Sequence, residues 1–202
     1  MDNIVSFLAA SVLLTLAPGP DIIYVITQST SNGKWAGIYT ALGLCTGLIV
    51  HTTLIALGVS VLIIESQTAF QLLKYAGAAY LFYLAYLSFK EKEEIVISEN
   101  TVSKEKIKLY KQGILMILLN PKVILFFLAF LPQFVIKNDI DMRIQLAALG
   151  LIFILQALIV FSSVSFFAEY FRNQIKSNIF FTKYIGTIKG TIFLLIGIKM
   201  IF

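Results

Sequence analysis

Apolar runs alternate with short polar intervals along the whole chain. Six runs stand out, at roughly 4–27, 37–64, 68–89, 112–136, 144–168 and 184–202. A helix needs about 20 apolar residues to cross a bilayer, so each run predicts one transmembrane span. The third has a short uncharged core, 75–89, and Lys74 at its start is expected to snorkel toward the interface. The only sizeable polar stretch is 90–111, which reads as a solvated loop. These elements predict an all-α integral membrane protein with a single transmembrane domain over residues 1–202. The opening Met-Asp-Asn lacks the basic n-region of a signal peptide, so the first span is expected to stay.

Two of the runs carry breaks. The first contains Pro18-Gly19-Pro20-Asp21, and the fourth contains Asn120-Pro121-Lys122. Proline donates no backbone hydrogen bond and its ring clashes with the carbonyl four residues earlier, so neither run continues as one regular helix. Backbone left unpaired at membrane depth is tolerated where it is buried in protein or lines a cavity. Gly19-Pro20 and Asn120-Pro121 suit the cap and first turn of a new half-helix. Both breaks fall roughly 14 Å from a membrane face, near the middle of a core ~30 Å thick. Two half-helix N-termini then face each other at the midplane, where their free N–H groups suit an anion. Carbonyls freed just before the breaks suit a cation or an ammonium group.

Composition agrees with the pattern. Hydrophobic residues make up 58% of the 202 positions, and the mean hydropathy is +0.88, above the roughly 45–50% apolar content of soluble domains. The net charge of +5 does not point to nucleic acid, because the basic residues lie between spans. Ten of them fall after spans one, three and five, against four on the opposite side. By the positive-inside rule both termini lie outside and the 90–111 loop is cytoplasmic. The lone Cys45 excludes an internal disulfide and a cysteine-based metal site.

The halves echo one another. Lys74-Tyr75-Ala76-Gly77 matches Lys183-Tyr184-Ile185-Gly186, Ala41-Leu42-Gly43-Leu44 matches Ala148-Leu149-Gly150-Leu151, and Pro20-Asp21 lines up with Pro121-Lys122. The order of these matches predicts two inverted three-helix repeats, 1–89 and 112–202, joined by the loop. In such transporters, interrupted helices at corresponding positions mark the binding site.

Asp21 and Lys122 are the only charges of their runs. Each costs about 2.5–3.5 kcal/mol near a helix centre, so a charge of either sign at this depth asks for a reason. One reason is a buried structural ion pair. The other is a zwitterionic ligand, with Lys122 toward its carboxylate and Asp21 toward its amino group. The candidate substrate-binding residues are thus Pro18, Gly19, Pro20, Asp21, Asn120, Pro121 and Lys122. Asp21 and His51 are the candidates for proton coupling. His51 shares a helical face with Gly43 and Gly47, and that small-residue face should pack on another helix; a hydrogen-bonded structural histidine fits it as well. Tyr24, Tyr39, Gln156 and Ser162 can reach a cavity, although periodicity does not single them out.

Together with Leu131-Pro132-Gln133-Phe134 after the second break, these motifs resemble the LysE/RhtB amino-acid exporter family, the homoserine/threonine/lysine-type efflux proteins. The resemblance implies a multi-pass protein of the bacterial inner membrane that exports amino acids or close derivatives, driven by the proton gradient. Its expected partners are a small amino acid, protons and lipid, with a homodimer left open and no cofactor or metal. A metal-ion exporter of the same superfamily needs a ligand cluster, and Cys45 and His51 do not share a helical face. An intramembrane enzyme is the rival from another class, but there is one histidine and neither a His-Glu-x-x-His nor a Gly-x-Ser-x-Gly pattern. A nucleotide-driven pump lacks its phosphate-binding loop.

Overall fold

The computed structural model describes residues 2–58, 67–90, 99–136, 140–176, 187, 190–191, 193–198 and 201. Helices α1 (Asp2–Leu16) and α2 (Pro20–Asn32) form the first run, and α3 (Lys34–Ala56) most of the second. Then come α4 (Gln67–Lys90), α5 (Glu99–Leu118) and α6 (Pro121–Leu125). The chain continues as a π-turn (Phe126–Phe130), a 3-10 turn (Leu131–Phe134) and α7 (Met142–Lys176). No strand occurs among the described residues. Residues 59–64 of the second expected span lie outside them, and of the sixth only 187, 190–191, 193–198 and 201 are described.

Both predicted breaks are present. The axes of 4–16 and 20–32 differ by 58°, and those of 105–118 and 121–134 by 50°. Counting each bent pair as one span, up to four described segments are long and apolar enough to cross a membrane.

Helix α7 runs past the expected end of its span to Lys176, and two stretches differ more deeply from the sequence reading. Helix α5 starts at Glu99, inside the stretch read as loop. Its first turns carry good helix formers, Lys104, Glu105, Lys106 and Lys108, and the side of α5 bearing Leu109 and Tyr110 is partly buried. The fourth run also does not resume as one α-helix after Pro121. Pro132 withholds an N–H and crowds the carbonyl of residue 128, and the backbone widens to a π-turn before tightening to 3-10. Phe7, Phe126, Phe127 and Phe153 pack around that irregular stretch.

Helix α3 is the axis of the fold, packed most extensively on α5 and α7. Its predicted small-residue face does this work. A Cβ on Gly43 would run into the Tyr110 carbonyl, one on Gly47 into Ile117, and one on Gly113 of α5 into the Thr40 carbonyl. The α3 and α5 backbones are therefore nearly in contact. His51, on the same face, hydrogen-bonds through Nε2 to the Ile117 carbonyl at 3.1 Å and lies 5.6 Å from the Phe127 ring. Gly33, at φ +93°, turns α2 into α3 in a conformation that favours glycine. Next to it, Lys34 meets Glu169 of α7 at 3.0 Å.

Candidate functional site

The two breaks meet. Helix α1 stops at Leu16, and Pro20 takes the first position of α2, where its missing N–H would have had no partner anyway. Opposite, the Asn120 side-chain oxygen accepts the Lys122 backbone N–H at 3.1 Å, and Pro121 opens α6. This is the cap-plus-proline arrangement expected from Asn-Pro.

Between the half-helices lies the charge pair. The Lys122 ammonium donates to Asp21 Oδ1 at 2.9 Å and to the carbonyls of Leu14 and Ala17, each at 3.1 Å. An ammonium has three protons, and all three are used. Asp21 is 2% exposed, and the Lys122 side chain 20%. Asp21 sits in the first turn of α2, at the positive end of that helix, while Lys122 caps the negative end of α1. The carbonyls read from sequence as a cation site are thus satisfied by Lys122 itself. Gly19 makes this approach possible, because a Cβ there would stand 2.7 Å from Asp21 Oδ1 and 2.9 Å from Lys122 Nζ.

Of the residues singled out by sequence, Pro18, Gly19, Pro20, Asp21, Asn120, Pro121 and Lys122 all come together at this junction. His51 stands apart, on the α3–α5 seam. Next to the pair is a cavity of about 10 Å³, bounded by Thr15, Asp21, Leu48, Val123, Phe153 and Phe161, at the lower limit for one water molecule. An amino acid does not fit there in this conformation.

A larger space opens elsewhere along α2. A cavity of about 200 Å³ is lined by Tyr24, Gln28, Asn32, Tyr39, Ser88 and Gln112, with Glu105, Lys106 and Lys108 also on its wall. Tyr24, one turn beyond Asp21 on α2, donates from its hydroxyl to Gln112 Oε1, and its ring lies 5.7 Å from that of Phe193. Tyr24 and Gln112 thereby tie α2 to α5 on the wall of this cavity. Sequence reasoning named Tyr24 and Tyr39 only loosely and missed Gln28, Asn32 and Gln112. Gln28 and Asn32 follow the first run and Gln112 opens the fourth, and polar residues at such boundaries read as ordinary loop flanks.

Residues 12–202 match the LysE type translocator family. The chain is 34% identical over 209 residues to the uncharacterised membrane protein YrhP of Bacillus subtilis, covering 98% of each. It is 31% identical to the homoserine/homoserine lactone efflux protein of Salmonella typhimurium, over 95% of this chain and 92% of that one. No solved structure matches it. With its broken apolar helices and the family match across nearly its whole length, the chain belongs to the LysE type translocators, a family of membrane transporters rather than enzymes.

Proposed function

We propose that this protein is a secondary exporter of amino acids or close derivatives, and that Asp21 and Lys122 read the substrate's two charges. The observation that carries this is the ion pair joining the two helix breaks. A zwitterion entering between the partners exchanges one ion pair for two: its ammonium takes Asp21 and its carboxylate takes Lys122. No charge is stranded in the apolar interior during the exchange, so binding remains reversible despite the burial. The similar Salmonella protein is named for homoserine and its lactone. A lactone keeps the amino group and loses the free carboxylate, so Asp21 is the contact that both kinds of substrate share.

The 200 Å³ vestibule is the cytoplasmic entrance, and the compact centre closes the path toward the outside. Its orientation follows from the excess of basic residues after the odd-numbered spans, with both termini outside. In support, Lys34 and Glu169, which follow spans one and five, lie side by side, and the vestibule draws residues from both flanks of the 90–111 stretch. The paired repeat positions Asp21 and Lys122 meeting at one point favour the inverted-repeat arrangement, with the sixth span completing the second copy. Protons drive export: a proton arriving from outside neutralises Asp21 and releases the ammonium, and the carboxylate re-forms facing the cytoplasm.

The test is an efflux assay in cells loaded with dipeptides. Cells lacking the gene should accumulate one or more of the released amino acids, and the intact protein, but not Asp21→Asn, should clear them. If no amino acid accumulates under any loading, the export reading is rejected.

A further inference from the structure

The 200 Å³ vestibule carries hydrogen-bond donors that the described residues leave unused. Tyr24 donates its hydroxyl proton to Gln112 Oε1 at 2.5 Å, a length that suits an O–H···O bond and is too short for an N–H donor. One turn further along α2, Gln28 Oε1 accepts from Asn32 Nδ2 at 2.8 Å. Both amide oxygens are therefore committed, and each amide turns its nitrogen the other way. Neither Nε2 has a hydrogen-bond partner among the described residues, although Gln28 is only 7% exposed. Both residues line the vestibule. Residues 24 and 28 are neighbours on one helical face, so the bond from Tyr24 brings the Gln112 amide next to Gln28.

Lys106 and Lys108 stand on the same wall. The Lys106 ammonium lies over the Tyr39 ring, 5.3 Å from its centroid, and neither lysine has a carboxylate partner among the described residues. Two amide donors and two cations in one recess suit a carboxylate. Asn32 Oδ1 and Glu105 suit an ammonium, and Leu84, Leu87 and Leu109 an aliphatic chain. Gln28 lies seven residues beyond Asp21 on α2, about 10 Å along the helix. That is farther than the two charges of one α-amino acid can span.

We infer that the vestibule is a substrate site in its own right, where the side-chain amides of Gln28 and Gln112 hold the substrate's carboxylate before it reaches Asp21 and Lys122. The inference rests on the export reading above and adds an earlier binding step to it. Lys106 and Lys108 draw the anion in, and the central pair stays closed while this first site fills. Its selectivity follows from the donors. An α-amino acid binds, and its carboxamide, which brings no negative charge, binds weakly.

Trp35 is the only tryptophan of the chain and lines the same cavity, so its fluorescence reports on this site. The experiment titrates the purified protein in detergent with each standard amino acid other than tryptophan, and with the carboxamides of those that bind. At least one amino acid is expected to change the Trp35 emission saturably. Its carboxamide should bind about tenfold more weakly, the factor of one hydrogen bond to a charged group. Gln28→Glu and Gln112→Glu keep an oxygen for Asn32 and Tyr24 and put a negative charge where the free amide was. Both are expected to fold and to weaken binding about tenfold or more. Gln28→Met, which adds no charge, should weaken it in the same direction and serves if Gln28→Glu does not fold. Asp21→Leu with Lys122→Met should leave the titration unchanged, because the centre is a different site. The inference is overturned if the titration is lost with the central pair, if the carboxamide binds equally, or if Gln28→Glu and Gln28→Met bind like the parent. It is overturned as well if no amino acid changes the emission, and export of amino acids by that same protein would leave the export reading standing. If Trp35 responds as expected but no amino acid accumulates in the loading assay, the binding site stands and the export reading falls.

Discussion

Removing either partner of the Asp21–Lys122 pair should damage the protein unequally, because the two side chains make unequal numbers of bonds. Lys122→Gln strands a carboxylate that is 2% exposed and takes the ammonium from the Leu14 and Ala17 carbonyls. Breaking a buried pair costs about 3–5 kcal/mol, and a carbonyl left unmet adds about 1 kcal/mol or more. A loss of about 4–6 kcal/mol corresponds to a melting temperature about 10–20 °C lower for a chain of this size. Asp21→Asn leaves Lys122 charged but still bonded to two carbonyls and one-fifth exposed. Its cost is that of one charge-assisted bond, about 1.5–3 kcal/mol, or roughly 3–10 °C. Replacing both, as Asp21→Leu with Lys122→Met, strands no charge and should recover most of the loss. The assay is thermal unfolding in detergent alongside export from preloaded vesicles, where all three variants should be inactive. Equal melting shifts for the two single variants would refute the three-bond account of Lys122. Export by the double variant at the parent's rate would refute the substrate-binding role and leave a structural ion pair.

Gly19→Ala places a methyl 2.7 Å from Asp21 Oδ1 and should cost about 1–3 kcal/mol as the pair is pushed apart; a variant with parental melting temperature and export contradicts this. Gly43→Ala drives a methyl into the Tyr110 carbonyl, which is backbone and cannot swing aside, so folded yield in detergent should drop well below that of Ala41→Gly. A reporter fused after Phe202 should be active outside the cytoplasm, and one active only inside reverses the proposed orientation. Export from vesicles should follow an imposed pH gradient and ignore a sodium gradient; the opposite result replaces protons by sodium without touching the binding residues.

Much of the site was legible because its signals are local. Proline in an apolar run reports a break wherever it stands, and Asn120-Pro121 reports the helix that follows. The Gly43–Gly47–His51 face was legible as a packing surface for the same reason: helical spacing gathers small residues on one side. That Lys122 directs two of its three protons to the carbonyls at the end of α1 was not legible, since nothing in the spacing of residues 14, 17 and 122 reveals a tertiary contact. The vestibule was missed because its wall draws on α2, α3, α4 and α5 at once. The helix over 99–111 was hidden by charge, because lysine and glutamate favour helices as readily as they favour solvent.

The corner between α1 and α2 is completed by a residue made 101 positions after Asp21. At about 5–20 residues per second, the ribosome needs about 5–20 seconds to supply Lys122. Throughout that interval the first run already holds its proline break, a carboxylate and two carbonyls that lack their ammonium. The nascent first half therefore cannot settle alone in lipid as it finally stands. Its ion pair is completed only when the fourth run arrives. The corner between α1 and α2 is thus closed by the second half of the chain, with the amine of Lys122 as its clasp.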